Sequence, residues 1–102
     1  MDDQAYNYFG SRNLRLTSPQ MQGTDVKILQ SLLNMFPDNI VLGNLVVDGI
    51  FGPITRNAVR NFQKYFGLVT DGIVGPESFL RLGHRTGKYA VGEPVFSSRT
   101  LR

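Results

Sequence analysis

The sequence contains no cysteine and only one histidine. The absence of cysteine excludes disulfides and thiol chemistry, and it leaves a zinc site with too few soft or imidazole ligands. No apolar run approaches the roughly 18 residues that a membrane span requires. The first four residues are polar and acidic, unlike the start of a signal peptide. We therefore expect a chain that holds no metal and no cofactor and that enters no membrane.

Catalytic side chains are equally scarce. The one histidine, His84, stands in a Gly-flanked stretch typical of a linker, so we expect a solvated side chain there rather than a general base. Asp48 and Asp71 could be the paired carboxylates of glycoside hydrolysis, but their identical sequence contexts favour a structural role. Each turn offers one carboxylate, whereas calcium takes six or more oxygen ligands. We predict no catalytic residue and no enzyme activity.

The residues that are present suit one small domain. A chain of 102 residues with 41% apolar residues can bury a modest core. The formal net charge of +3 suits an acidic partner without demanding one. On its own, the chain is expected to be a monomer.

A six-residue phrase, D-G-I-x-G-P, occurs twice in the chain, 23 residues apart. Its copies are Asp48–Pro53 and Asp71–Pro76. In each copy the Asp carboxylate can accept hydrogen bonds from nearby backbone N–H groups, and the first Gly permits a positive φ. The second Gly can cap a helix whose first residue is the Pro, and Thr55 or Ser78 follows two residues later. We predict two similar turns, each of which starts a helix.

Apolar spacing predicts three helices. The first begins at Gly23 or Thr24 and ends at Pro37, the second runs from Pro53 to about Phe66 with Gly67 after it, and the third runs from Pro76 to Gly83. Their expected buried residues are Val26, Leu29, Leu32, Leu33 and Phe36, then Ala58, Val59, Phe62, Tyr65 and Phe66, then Phe79, Leu80 and Leu82. The apolar segment 40–47 could form a tiny hairpin. The predicted fold class is all-α: a three-helix bundle with an extended N-terminal arm and a loop-rich connection between helices 1 and 2.

The chain divides into four expected parts. Residues 1–13 form an N-terminal arm or linker, residues 14–83 form the domain, and residues 84–95 form a linker. Residues 96–102 are interpreted as the start of a next tandem repeat, because they match residues 9–15 at five of seven positions. The alternative is a chance match between two Ser/Arg-rich heptamers.

The residue pattern as a whole is similar to a known family. The matching positions are Gly23, Asp25, Val26, Leu29, Gln30 and Leu33, then Val47, Asp48, Gly49, Phe51, Gly52, Thr55, Ala58, Val59, Phe62 and Gln63, then Gly67, Leu68, Asp71, Gly72, Val74 and Gly75. Over about residues 14–83 the chain resembles the bacterial peptidoglycan-binding domain of the three-helix type. It departs from the family in the longer stretch 36–46 between helices 1 and 2.

The resemblance implies a compact three-helix domain without catalysis of its own. Such domains are attached to cell-wall hydrolases, amidases, carboxypeptidases and spore-cortex enzymes, and they hold those enzymes on the wall. Peptidoglycan, through its glycan or its stem peptide, is therefore the implied ligand, and the neighbouring domains of a longer chain are implied partners. The implied location is extracellular or in the cell wall.

Candidate ligand-binding residues gather around the two turns and the second predicted helix. Arg56, Arg60 and Lys64 form a basic stripe at i, i+4 and i+8, which could meet stem-peptide carboxylates or be only a solvated helix face. Tyr65 could make a partly exposed contact, whereas Phe51 could stack on a sugar or, as we favour, fill the core. The full candidate set is Asp48, Gly49, Phe51, Thr55, Arg56, Arg60, Tyr65, Asp71 and Gly72.

Two glutamines each follow an apolar core position. Gln30 and Gln63 could present their amides to a sugar or a stem peptide. We favour the alternative that both are buried and satisfy loop backbone groups, because buried polar groups need hydrogen-bond partners.

Two other functions remain open. The domain could keep the fold while serving as a structural or protein-interaction module of an envelope or phage protein. It could also bind nucleic acid through the second helix. The small net charge and the dispersed Arg and Lys residues argue against that last function, since a DNA reader concentrates its basic residues in one patch.

Overall fold

A computed structural model describes residues 9–41 and 44–86, the last three of these by their backbone alone. Its elements are α1 (Thr24–Leu33), α2 (Pro53–Tyr65) and α3 (Pro76–Thr86). Within the described ranges there are no strands, only two isolated antiparallel bridges, Leu14 with Val74 and Gln22 with Ile50. The prediction of an all-helical fold with three helices is confirmed. The predicted repeat start at 96–102 lies outside the described residues, as do 87–95 of the predicted linker.

The two predicted turns do start helices. We call residues 48–53 the first corner and residues 71–76 the second corner. Gly49 and Gly72 have φ values of 77° and 76°, which is the left-handed region that glycine enters without a steric penalty. Gly52 is the N-cap of α2 and Pro53 is its first residue. The corner sequence therefore fixes both the direction of the chain and the start of the next helix.

The ends of α1 and α3 differ from the prediction. α1 ends at Leu33 rather than continuing to Pro37, because the Asn34 side chain binds across the domain to Leu45. Asn34 Nδ2 donates to the Leu45 carbonyl at 2.9 Å, and Asn34 Oδ1 accepts from the Leu45 N–H at 2.8 Å. α3 runs past Gly83 to Thr86, since a glycine inside a helix costs only about 1 kcal/mol and does not forbid it.

The connection between α1 and α2 contains a tight turn instead of a hairpin in its described residues. The N–H groups of Ile40 and Val41 both donate to the Pro37 carbonyl, at 2.9 and 3.1 Å. Phe36 and Val41, on either side of this turn, are buried. The loop-rich connection is thus anchored to the core at both ends of its turn.

One apolar core joins all three helices and the arm. Phe36, Phe62 and Phe66 pack together with ring centroids 5.2 to 5.8 Å apart. Leu80 is predicted to be buried but is 54% exposed. Tyr65 is 55% exposed, which contradicts its place on the predicted buried face of helix 2 and agrees with the prediction of a partly exposed contact. The reason is the rotation of each helix: α2 turns Thr55, Val59, Phe62 and Gln63 inward, and α3 turns Ser78, Phe79 and Leu82 inward.

In the structure the described part of the N-terminal arm extends over residues 9–23, up to the start of α1, and it binds both corners. Leu14 and Val74 exchange two backbone hydrogen bonds of 3.1 and 2.8 Å, and the Phe51 N–H donates to the Met21 carbonyl at 2.9 Å. Phe9 is already fully buried, and it contacts Phe79 edge-to-face with the centroids 4.9 Å apart. The arm therefore packs on the core from residues before Leu14.

An ion pair also holds the arm to α1. Asp25 is fully buried, and Arg12 donates to its two carboxylate oxygens at 2.9 and 3.2 Å. Arg12 also donates to the Gln22 carbonyl at 2.6 Å. A buried carboxylate requires such partners, so Arg12 fixes where the arm enters the domain.

Candidate functional site

The first corner is organised by one buried amide, Gln30 of α1. Its Nε2 donates to Asp48 Oδ1 at 3.1 Å, to the Ile50 carbonyl at 3.0 Å and to Thr55 Oγ1 at 3.1 Å. Its Oε1 accepts the Gly49 N–H at 2.9 Å. The Gln30 side chain thus joins α1 to the turn and to the first turn of α2.

The second corner repeats this network around Gln63 of α2. Nε2 of Gln63 donates to Asp71 Oδ1 at 3.2 Å, to the Ile73 carbonyl at 2.8 Å and to Ser78 Oγ at 3.2 Å. Its Oε1 accepts the Gly72 N–H at 2.9 Å. The preferred interpretation of both glutamines, as buried amides that satisfy loop backbone groups, is confirmed.

The two corners also share an Asx-turn. Oδ1 of Asp48 accepts the Ile50 N–H at 2.9 Å, and Oδ1 of Asp71 accepts the Ile73 N–H at the same distance. The bond from Ile50, and after it the bond from the Gln30 amide, lowers the pKa of Asp48 below the ordinary 3.8 of an aspartate. The cause is that both donors favour the charged carboxylate.

Long basic side chains cover the corner glycines. A Cβ at Gly49 would meet the Lys27 Cγ at 3.1 Å, and a Cβ at Gly72 would meet the Arg56 Cγ at 2.9 Å and the Arg60 Cγ at 3.4 Å. Lys27 and Arg60 each precede the corner glutamine by three residues, so they are equivalent positions. The aliphatic stems of Arg56 and Arg60, two of the three residues of the basic stripe, therefore pack on the second corner.

Each corner borders a concavity, with a volume of about 340 Å³ at the first and about 250 Å³ at the second. Every residue that lines the second has a counterpart in the first, which adds Gln20 and Asn44. Exposed valines, Val46 and Val69, occupy equivalent places. Ile54 of the first concavity is replaced by Glu77 in the second, so the first is the more apolar of the two.

A third concavity lies away from the corners, between the 37–41 turn and α2. It has a volume of about 460 Å³, and we call it the polar groove. Its lining residues are Asp38, Asn39, Ile40, Asn61, Lys64 and Tyr65. This feature was missed at the sequence level, because Asp38 and Asn39 read only as helix-terminating residues.

The nine candidate residues do not form a single site. Gly49, Thr55 and Gly72 are buried, and the hydrogen-bonding groups of the first two are engaged with Gln30. Phe51 is fully buried, as we favoured. Asp48 and Asp71 are exposed, and each uses Oδ1 inside its corner. Arg56 and Arg60 are exposed beside the second corner, and Tyr65 lies in the polar groove.

The corner networks could have been predicted from the sequence. The two copies of the repeat can be aligned over a longer stretch than the six-residue phrase. Residues 45–55 and 68–78 share the pattern L-V-x-D-G-I-x-G-P-x-[ST]. The two glutamines that serve them are 33 residues apart rather than 23, since the connection after α1 is longer by ten residues. That change of spacing hid the link between each glutamine and its corner.

The described residues contain neither a cluster of metal ligands nor a membrane-spanning helix. No group of three or more His, Asp or Glu side chains in them could hold a metal ion. None of the helices in this part of the chain is long and apolar enough to cross a bilayer.

The chain matches a known protein family. The model of a family described as "Putative peptidoglycan binding domain" matches residues 22–82. This range contains both corners, both corner glutamines and the polar groove.

Individual wall enzymes are similar over the same region. The N-acetylmuramoyl-L-alanine amidase CwlL of Bacillus licheniformis is 39% identical over 71 residues, which cover 67% of this chain and 19% of the amidase. The zinc D-Ala-D-Ala carboxypeptidase of Streptomyces albus G is 50% identical over 38 residues, or 37% of this chain and 15% of the enzyme. The chain therefore spans a fifth or less of the length of these relatives.

Two solved structures are similar in fold and sequence. The SleB N-terminal domain has a TM-score of 0.62 and 35% identity, and the match covers 76% of this chain and 97% of that domain. A peptidoglycan-binding protein from Clostridioides difficile, in complex with glutamine hydroxamate, has a TM-score of 0.62 and 37% identity over 76% of this chain and 44% of its own.

Proposed function

Because the chain belongs to the peptidoglycan-binding domain family, we propose that it is a non-catalytic module that binds peptidoglycan and holds an attached protein at the bacterial cell wall. The observation that carries the proposal is the family match across residues 22–82. The similar amidase and carboxypeptidase are about five times longer or more than the matched segment, which supports a role as an attachment module. The location that follows is extracellular or in the wall.

We assign different roles to the candidate residues within this function. Gly49, Phe51, Thr55 and Gly72 hold the corners and do not touch the ligand, because they are buried. Asp48 and Asp71 act mainly as turn formers through Oδ1. The direct contacts come from exposed side chains, which are Arg56, Arg60 and Tyr65.

The basic stripe provides the charge complementarity. Arg56 and Arg60 have their stems fixed against the second corner, which limits the freedom that their guanidinium groups lose on binding. A guanidinium binds a carboxylate with paired hydrogen bonds, and peptidoglycan stem peptides carry carboxylates. Such an exposed site is weak for one module, so tandem copies would add avidity.

Co-sedimentation with purified, insoluble peptidoglycan sacculi tests this proposal. We expect the wild-type domain to be retained at moderate salt. Arg56→Ala with Arg60→Ala should lower the affinity about two- to thirtyfold, as two exposed charge pairs of about 0.2–1 kcal/mol each would give. A matched control is Arg15→Ala with Lys27→Ala, which removes the same charge and also one stem that covers a corner glycine.

The outcomes separate the competing functions. Equal loss in the two double variants would show that net charge alone matters and would remove the stripe from the site. No retention of the folded wild-type domain would overturn wall binding and leave a structural or protein-interaction module. Steeply salt-dependent binding to DNA, with none to sacculi, would support nucleic-acid binding.

A further inference from the structure

The polar groove combines the side chains that recognise a neutral sugar. Tyr65 presents an aromatic ring that is 55% exposed, Asn39 and Asn61 present amides, and Ile40 gives an aliphatic surface. The volume of about 460 Å³ falls in the range of roughly 300–1,000 Å³ typical of small-molecule sites. The groove is open, as expected for a site that receives one unit of a long polymer.

The polar side chains of the groove have no hydrogen-bond partner within residues 9–41 and 44–86. Among the described residues, no hydrogen bond or ion pair engages the side chains of Asp38, Asn39, Asn61, Lys64 or Tyr65. The corners differ in this respect, because their glutamines and aspartate Oδ1 atoms are bonded internally. The groove therefore offers both donors and acceptors to a ligand.

The groove is also built on fixed elements. Asn61, Lys64 and Tyr65 lie at i, i+3 and i+4 on α2, so they share one helix face. The opposite wall is the 37–41 turn. This turn is held in place by its backbone hydrogen bonds to the Pro37 carbonyl and by the buried residues on either side of it. The Tyr65 ring packs edge-to-face on Phe66, with the centroids 5.0 Å apart. The backbone that carries these side chains is therefore preformed, so binding does not have to order it.

From this arrangement we propose that the polar groove binds an N-acetylated amino sugar of the glycan strand. The sugar face stacks on Tyr65, since an aromatic ring supplies a large apolar surface beside a polar hydroxyl. The Asn39 and Asn61 amides bond to sugar hydroxyls and to the acetamido group, each of which can donate and accept. Ile40 receives the acetyl methyl. This proposal rests on the proposed function in one respect, which is that the sugar is part of peptidoglycan.

The charge of the groove favours the sugar over the stem peptide. Asp38 and Lys64 give the lining one formal charge of each sign, so the groove has no net charge for an anionic peptide to meet. Arg56 and Arg60 do not line it. A glycan unit in the groove and a stem-peptide carboxylate near the stripe can thus be bound by different parts of α2.

Titration of the ¹⁵N-labelled domain with the tetrasaccharide of N-acetylglucosamine tests the assignment. We expect amide shifts at Asp38, Ile40 and Lys64. Tyr65→Ala should weaken binding about five- to tenfold, which is the loss of one aromatic contact, and Tyr65→Phe should keep most of the affinity. Asn61→Ala should weaken binding, whereas its control Asn57→Ala, one helical turn earlier and outside the groove, should not.

Several results would overturn the proposal. Wild-type affinity in folded Tyr65→Ala would do so, and so would shifts at the corners instead of the groove. If Tyr65→Ala fails to fold, the test is the affinity of Asn61→Ala compared with that of Asn57→Ala. Equal affinities of these two variants would overturn the proposal. If a stem tripeptide shifts the amide signals of the groove residues and the tetrasaccharide does not, the groove binds peptide instead of sugar. If the domain is retained on sacculi but the tetrasaccharide causes no amide shifts, the assignment of the groove is refuted and wall binding is not. If the tetrasaccharide binds but the domain is not retained on sacculi, the proposed function is refuted and the groove assignment is not.

Discussion

A glutamine amide is the central residue of each corner. Gln30 and Gln63 each share the two N–H groups of Nε2 among three acceptor atoms and accept one backbone N–H. No other uncharged side chain of similar size offers donors and an acceptor at the same reach. Both amides are buried, so their bonds are made in a region where an unpaired polar group is costly.

Removal of one such amide should be strongly destabilising. We expect Gln63→Ala to lower the free energy of unfolding by about 2–4 kcal/mol, because it creates a cavity and leaves the Gly72 N–H and Ser78 Oγ without their partner. The exposed Gln22 gives the control, and Gln22→Ala should stay within about 0.5 kcal/mol of wild type. Urea denaturation followed by circular dichroism measures both. A Gln63→Ala cost as small as that of the control would refute the hub role.

The Asp48 carboxylate should make stability depend on acid pH. Its pKa is lowered in the folded state, so the folded state favours the charged form. The resulting stabilisation is complete above the unfolded-state pKa near 3.8 and is lost as the pH falls through the lower folded-state pKa.

Asp48→Asn keeps an oxygen acceptor but removes the charge. We expect its Tm to lie below that of wild type at pH 7, and we expect the gap to close at a pH below the folded-state pKa. Asp38→Asn is the control, since Asp38 is exposed and makes no side-chain hydrogen bond in the described part of the chain. A Tm gap for Asp48→Asn that persists unchanged in acid would contradict the charge argument.

At the scale of elements, the end of α2 and the second corner each depend on a left-handed glycine, but in different surroundings. Gly67 and Gly72 have φ values of 73° and 76°. Gly67 follows α2, where its N–H donates to the Lys64 carbonyl at 3.3 Å and the Leu68 N–H donates to the Gln63 carbonyl at 2.9 Å, a Schellman motif. A Cβ would meet nothing within 4 Å at Gly67, but it would lie 2.9 Å from the Arg56 Cγ at Gly72.

The two glycine-to-alanine variants should therefore differ. Gly67→Ala carries only the backbone penalty of a left-handed residue, about 1–2 kcal/mol. Gly72→Ala carries the same penalty and must also displace the stem of Arg56, so we expect a clearly larger loss of stability. Thermal unfolding of both variants measures the difference. Equal losses of stability would mean that the Arg56 stem moves aside at no cost. Gly72→Ala would then lose as much stability in an Arg56→Ala background as in the wild type.

The beginnings of the helices and the end of α2 before Gly67 could be predicted from the sequence, whereas the ends of α1 and α3 and the exposed helix faces could not. Pro53 and Pro76 start helices because the signal is local, within the corner itself. α1 ends early because Asn34 binds Leu45, eleven residues away, and no local pattern contains that contact. The exposures of Tyr65 and Leu80 depend on how α2 and α3 are rotated against their neighbours. The polar groove likewise needs two segments brought together by the fold.

At the scale of the molecule, the helical part of the described chain is built from two overlapping units that share α2. In each unit, a helix with an inward glutamine binds the corner that starts the next helix. α1 serves the first corner in this way and α2 serves the second. The arm crosses both units through its backbone bonds to Val74 and Phe51. Because α2 belongs to both units, damage at either corner should reach the helix that carries the basic stripe and half of the polar groove.

The contribution of the arm gives a test at this scale, because the family match begins only at residue 22. A fragment of residues 22–82 lacks the Phe9 ring against Phe79, the Leu14 pairing with Val74 and the Arg12 partner of Asp25. Loss of one buried phenylalanine side chain alone costs about 3–5 kcal/mol, a large share of the roughly 5–15 kcal/mol of a whole domain. We therefore expect residues 9–86 to unfold cooperatively and residues 22–82 to be largely unfolded.

Arg12→Ala in the longer fragment isolates the ion pair. We expect it to lower the free energy of unfolding by about 2–3 kcal/mol, which is less than the 3–5 kcal/mol of fully buried pairs because water reaches Arg12. Equal urea midpoints for the two fragments would show that three helices and two corners suffice without the arm.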